Sequence, residues 1–338
     1  MDLRGTVVSM KVAGIDCGTN SLRLLVAQAV PRAGGNGLRL RETVRRMEVV
    51  RLGAGVDRTG KFNGEALART LRTVSHYARI CEGEGVESIR FAATSATRDA
   101  ENRQCFIDGV KERLGVCPQV LSGQQEAEMS FAGAVSPLDT QMFRSELLAV
   151  DLGGGSTELA LGTPGGRLLE SFSMNVGCVR MHERHLHADP PTEEEIAAAR
   201  RDVRLALDEA EKYVDLSRGR SVLGLAGTVT TVTARALGLK SYDPQKIHGT
   251  FLTVPRIDEV CNWFIGSNAS MRAAEGYLHP GRADVIASGA LVWQEIVRRI
   301  DLRIKEKGGE LGGVFTSEHD ILDGLALWAA REPNPPCL

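Results

Sequence analysis

The chain has 338 residues and a formal net charge of −2, with 43% hydrophobic and 25% charged residues. That is an ordinary globular composition, long enough for about two domains with a core each. No apolar run reaches the roughly 18 residues of a membrane span. Residues 1–11 lack the apolar core of a signal peptide. Aromatic residues make up only 5% and no basic block is interleaved with them, so nucleic-acid binding is not supported. A phosphate-rich substrate would have to be held by local arginines, loop amides and metal ions. The cysteines are scattered without a metal-type C-x-x-C spacing, which predicts no disulfide framework and a cytoplasmic location. Met10 stands just before the first predicted strand, so residues 1–9 read as an extension or a misassigned start.

In chain order, strands are predicted at 12–16, 22–29 and 38–52, the last two separated by a glycine-rich turn at 34–37. A helical period over 64–82 follows, then a buried strand at 89–94, a helix at 102–114 ended by Gly115, a short strand at 119–121 and a helix at 124–134. Ser136-Pro137-Leu138-Asp139 reads as a hinge. The same order then restarts, with strands at 147–151, 157–161 and 167–172 and helices near 180–187 and 192–213. Thr192 and Glu195 form a capping box at the start of the second of these helices. A strand at 221–226, helices at 228–237 and 282–299, a strand at 313–316 and a helix at 318–330 complete the chain.

Two segments repeat one another. Asp16-Cys17-Gly18-Thr19-Asn20-Ser21 and Asp151-Leu152-Gly153-Gly154-Gly155-Ser156-Thr157 each follow an apolar strand and precede another. A hairpin of this kind converges loop amides on an anion with a carboxylate at the entrance. Asp16 and Thr94 lie 78 positions apart, Asp151 and Thr228 lie 77 apart. The recurrence predicts two related α/β domains, 1–134 and 135–316, with the last helix (317–332) crossing back onto the first.

Within this frame the loops would bind phosphoryl oxygens while Asp16 and Asp151 face metal or water. Arg98 follows Thr94 and Ser95 at the end of a buried strand, where an α/β fold presents polar groups to its cleft and an arginine suits bidentate phosphate binding. Glu126 falls in the first turn of a helix, where a carboxylate either works in the site or merely complements the helix dipole. Glu158 is equally open between site acid and outward strand residue. His182, His185 and His187 have no fourth ligand at a recognised zinc spacing and read as a polar helix end. Cys17, inside the first loop, reads as a packed small thiol.

Five segments in order resemble the Ppx/GppA family of exopolyphosphatases and guanosine pentaphosphate phosphohydrolases, of the actin/sugar-kinase/Hsp70 superfamily. They are the two loops above, the second extended to Glu158; Ala93-Thr94-Ser95-Ala96-Thr97-Arg98; Ser122-Gly123-Gln124-Gln125-Glu126-Ala127; and Gly224-Leu225-Ala226-Gly227-Thr228. The resemblance covers the chain from Met10 onward. It implies an α/β fold of duplicated actin-like (ribonuclease H-like) domains with an interdomain cleft. It implies hydrolysis of a terminal phosphoanhydride with Mg²⁺, or Mn²⁺ in its place.

The family's general base falls on Glu126, its second-loop acids on Asp151 and Glu158, and its phosphate-binding arginine on Arg98. Metal is expected at Asp16, Glu126 and Asp151. Phosphate is expected at Cys17, Gly18, Thr19, Asn20, Ser21, Arg23, Thr94, Ser95, Gly153, Gly154, Gly155, Ser156, Thr157, Gly227 and Thr228, with Arg180 a further cation. Inorganic polyphosphate is the implied substrate; pppGpp, and through it the stringent response, is the alternative. A homodimer is compatible with the resemblance; a membrane or nucleic-acid partner is not expected. Many relatives carry two glutamates where Gln125-Glu126 stands here. The chain resembles the short two-domain form, which implies short polyphosphate chains. Two other classes compete: an actin-like ATP-dependent kinase, which would need an acceptor, and a sensor that binds (p)ppGpp or polyphosphate without turnover.

Overall fold

A computed structural model describes residues 9–32, 37–138 and 145–332. The start at Met1, the turn at 34–37 except Gly37, and the Asp139 end of the hinge lie outside the described residues.

The chain runs β1 (Met10–Cys17), β2 (Ser21–Pro31), β3 (Leu38–Val49), α1 (Val56–Thr59), α2 (Gly64–Gly83), β4 (Ser88–Ala93), α3 (Ser95–Asp99), α4 (Arg103–Leu114), β5 (Gln119–Val120) and α5 (Gly123–Val135). It continues with β6 (Leu147–Leu152), β7 (Thr157–Gly162), β8 (Leu168–Met174), α6 (Cys178–His185), α7 (Glu193–Ala210), β9 (Ser221–Leu225), α8 (Ala226–Ala236) and α9 (Pro244–Ile247). The last elements are β10 (Phe251–Thr253), α10 (Val254–Gly266), α11 (Ala269–Ala273), α12 (Ile286–Glu306), β11 (Gly313–Thr316) and α13 (Ile321–Arg331).

Two units result: Met1–Leu121 with Ile321–Leu338, and Ser122–Asp320. The first holds a sheet of order β3-β2-β1-β4-β5 and the second a sheet of order β10-β11-β9-β6-β7-β8. In each, three strands run as an antiparallel meander and the next strand lies parallel to the first of them. Read from its far end, the second order repeats the first, with β6 in the place of β1. The fold is a duplicated, actin-like (ribonuclease H-like) α/β architecture.

Strand pairing explains the sequence pattern. β6 and β7 are buried along their whole length, so residues 147–150 and 159–161 read as apolar runs rather than as alternation, with the polar residues confined to the loop ends. In the first unit, Leu322, Ala326 and Ala329 of α13 pack with Val12, Leu25 and Ala27. Burying each such aliphatic side chain contributes about 1.5–3 kcal/mol for the larger ones, which fixes the chain's last helix on this sheet.

The boundary between units differs from the expected 134. Ala127, Phe131, Ala134 and Val135 of α5 share one apolar cluster with Leu147, Ala149 and Ala160 of β6 and β7. The helix therefore belongs with the second sheet, and the division falls before Ser122. β3 stops at Val49, short of the expected 52, because the Val50 and Arg51 amides turn to the Asn20 carbonyl and Gly53 N–H to that of Thr19. Helical and strand periods gave no assignment for 240–280, where α9, β10, α10 and α11 lie. The Thr192–Glu195 capping box is present. Cys17, Cys81, Cys105, Cys178 and Cys261 are free, whereas Cys117 is disulfide-bonded, a departure from the expectation. No helix among the described residues is long and apolar enough to cross a membrane.

Candidate active site

The first hairpin closes through Gly18 N–H donating to the Ser21 carbonyl, and the second through Gly153 N–H donating to the Ser156 carbonyl, each at 3.0 Å. Those two amides are spent on the turns, so Gly18 and Gly153 shape their loops rather than donate to a ligand. The N–H groups of Thr19, Asn20, Gly154 and Gly155 donate to nothing among the described residues. In the first loop Thr19 Oγ1 and Asn20 Oδ1 are also buried without a partner there, as is Thr97 Oγ1 on α3. Buried polar atoms are rarely left so unless a water, ion or substrate completes them.

Around the first loop, Arg23 Nη2 donates to Asp16 Oδ2 at 2.7 Å and Nε to the same oxygen at 3.0 Å. The expected metal ligand is thus held by the expected phosphate-binding cation. Cys17 is buried, and burial together with the Asp16 charge pushes its thiol up; only its backbone is available to the loop. Thr94 and Ser95 are buried at the start of α3. Arg98, half-buried, donates from Nη1 to the Leu121 carbonyl at 2.9 Å.

The second unit gathers three acids. Glu126 enters on α5, whose N-terminus is built by a capping box: Gln125 N–H donates to Ser122 Oγ, and Ser122 N–H to Gln125 Oε1. Glutamine at 125 fulfils this role without adding a charge next to Glu126. Gly123 lets the helix approach β8, since a Cβ there would collide with the Ser173 side chain. Asp151 and Glu158 are cross-strand partners on β6 and β7, and all three carboxyl groups are buried. Ser130 Oγ donates to Asp151 Oδ2 at 2.5 Å and Ser173 Oγ to Glu158 Oε1 at 2.7 Å. Burial first, then the charges of Glu126 and Asp151, push Glu158 well above the usual carboxylate range. Glu158 is not an outward strand residue.

The rest of the second loop is braced from α6. Gly154 O accepts from the amides of Val179 and Arg180, and Gly155 O from Arg180 Nε at 2.6 Å. Ser156 hydrogen-bonds Glu158. Thr157, expected to bind phosphate, donates its hydroxyl to the Val176 carbonyl at 2.6 Å and is fully buried; it ties strand to loop instead. At the start of α8, a Cβ on Gly227 would collide with the Arg282 guanidinium, and Thr228 hydrogen-bonds Cys178. Sequence reasoning missed Arg282, Ser130 and Ser173. Arg282 looks like any helix-start arginine until the fold brings it to Gly227, 55 positions away.

No group of three or more His, Cys, Asp or Glu among the described residues is arranged to hold a metal ion. His185 Nε2 instead lies 2.9 Å from Asp202 Oδ2, and burial lowers His182.

The sequence profile of the Ppx/GppA phosphatase family matches residues 32–311. The chain is 43% identical over 325 residues to exopolyphosphatase 2 of Mycobacterium tuberculosis, covering 94% of this chain and 98% of that protein. It superposes on the crystal structure of an exopolyphosphatase-like protein with a TM-score of 0.90 at 42% identity, covering 96% and 98% of the two chains. The Aquifex aeolicus PPX-GPPA enzyme matches with a TM-score of 0.75 at 28% identity, covering 95% and 100%. With glycine loops, buried acids and duplicated sheets in place, this chain belongs to the Ppx/GppA phosphatase family.

Proposed function

We propose that the protein is an exopolyphosphatase that removes the terminal phosphate of inorganic polyphosphate by attack of water. The observation that carries this reading is the buried Glu126, Asp151 and Glu158 group beside a hairpin whose Gly154 and Gly155 amides are uncommitted. Three carboxyl groups crowded in low dielectric are costly unless the site handles protons or positive charge.

Glu126 is the general base, taking a proton from the attacking water as it closes on the terminal phosphorus. The Gly154 and Gly155 amides offset charge on the phosphoryl oxygens of the transition state. The resemblance assigns Asp16 and Arg98, in the first unit, to the same reaction. Glu126 and Asp151 offer hard oxygen donors suited to Mg²⁺, whose charge would relieve their repulsion of Glu158. Lacking a three-sided protein cage, they fit an ion that keeps water and substrate oxygens in its shell. Such an ion supplies charge neutralisation at the scissile phosphate.

The net charge of −2 leaves local arginines and loop amides to hold the polymer, which carries about one negative charge per phosphate. We infer a preference for short chains, distributive hydrolysis, Mg²⁺ or Mn²⁺ dependence and binding weakened by salt. The test is phosphate release from polyphosphates of defined length, beside pppGpp and ATP without an acceptor. Distributive action shortens the whole population on a gel. Full-length chains persisting beside free phosphate would mean processive action, and release from pppGpp alone would overturn the polyphosphate reading.

A further inference from the structure

Hydroxyl groups within helices ordinarily bond back to the carbonyl four residues earlier. In α2 this holds for Thr70 to Ala66, Thr73 to Arg69 and Ser75 to Leu71, at 2.8, 3.3 and 3.2 Å. Ser130 in the middle of α5 departs from that habit. Its hydroxyl reaches across to β6 and donates to Asp151 Oδ2 at 2.5 Å, the short range of a hydrogen bond to a charged oxygen. Both residues are buried, at 1% and 7% exposure, so water does not readily replace the bond.

We propose that Ser130 is a positioning residue for the hydrolytic site, fixing the rotation of the Asp151 carboxylate through this bond. The proposal rests on the reading of Asp151 as a site acid. Ser130 follows Glu126 by one helical turn, and residues four apart share a helix face with Cβ atoms about 5–6 Å apart. One rigid helix therefore sets two groups together: Glu126 directly, and Asp151 through the Ser130 hydroxyl. The start of that helix is itself seated on Ser173, which bonds Glu158. The spacing between base and acid is then a property of α5 rather than of two loops. Loss of the Ser130 hydroxyl leaves Asp151 in place but lets its carboxylate turn about the Cβ–Cγ bond.

The experiment compares Ser130→Ala, Ser130→Thr, Asp151→Asn and Ser130→Ala/Asp151→Asn in steady-state phosphate release, with thermal melts to establish folding. Ser130→Ala should lower kcat by about 10–100-fold, the usual effect of removing a group that orients a site ligand, with KM changed less than about 3-fold. Ser130→Thr, which keeps the hydroxyl, should retain most of the turnover. In the Asp151→Asn background the alanine substitution should cost little more, a non-additivity that a packing defect would not produce. Wild-type kcat in Ser130→Ala beside a crippled Asp151→Asn overturns the proposal, as does a full additional loss in the double variant. Normal turnover in Asp151→Asn would instead remove Asp151 from the site, and this role of Ser130 with it.

Discussion

Arg23 and Glu158 occupy the same place in the two hairpins. Arg23 is the cross-strand partner of Asp16, and Glu158 that of Asp151. One copy of the repeat thus neutralises its loop aspartate with a guanidinium. The other copy sets a second acid against it, and burial first, then the charges of Glu126 and Asp151, raise that acid's pKa. Duplication supplied the same scaffold twice, and a single cross-strand position gave the halves opposite electrostatics.

The Asp16–Arg23 pair is open to a double-mutant cycle by urea unfolding. Arg23→Gln should destabilise the protein by about 1–3 kcal/mol, the scale for removing a hydrogen-bond partner from the buried Asp16 carboxylate. Asp16→Asn/Arg23→Gln should lose less than the two single losses combined. Strictly additive losses would show that the bond contributes little.

Glu126→Gln should preserve substrate affinity while lowering kcat by about 10²–10⁴-fold, the range for loss of a general base. Binding is read by equilibrium titration with polyphosphate and turnover by phosphate release. A folded variant with near-normal turnover would exclude Glu126 as the base.

Gly123→Ala drives a methyl group into Ser173 and should push the first turn of α5, with Glu126, off the sheet. A displacement approaching an ångström costs about 10²-fold in rate. Gly123→Ala/Ser173→Gly should recover part of that loss. Unchanged kcat in Gly123→Ala would mean the helix absorbs the methyl without moving its carboxylate.

Glu158 ties stability to pH. Its folded-state pKa is raised, so the native protein keeps a proton that the unfolded chain releases. The stabilisation is full below the ordinary carboxylate range and is lost as pH rises toward the native value. In chelator, the melting temperature of wild type should therefore fall more steeply than that of Glu158→Gln between about pH 5 and pH 8. Parallel profiles would show that Glu158 is ionised in the fold.

Much of this was legible before any fold was known. The loops 16–21 and 151–157 repeat in sequence because each hairpin needs an apolar strand, a tight turn and a second strand, and those demands act between near neighbours. The same is true of the Thr192–Glu195 cap, which spans a single turn.

The sequence by itself determined the duplicated strand order, the glycine loops and the candidate acids, because hydrophobic period and turn chemistry are local. Only the tertiary structure decided which sheet α5 joins, since Phe131 and Ala134 pack equally well by pattern against any apolar face. It alone buried Glu158 against two other acids, diverted the Thr157 hydroxyl to Val176 and brought Arg282 to Gly227. Each of these depends on contacts between distant segments, whose energies are settled by packing and electrostatics that no single stretch of chain contains.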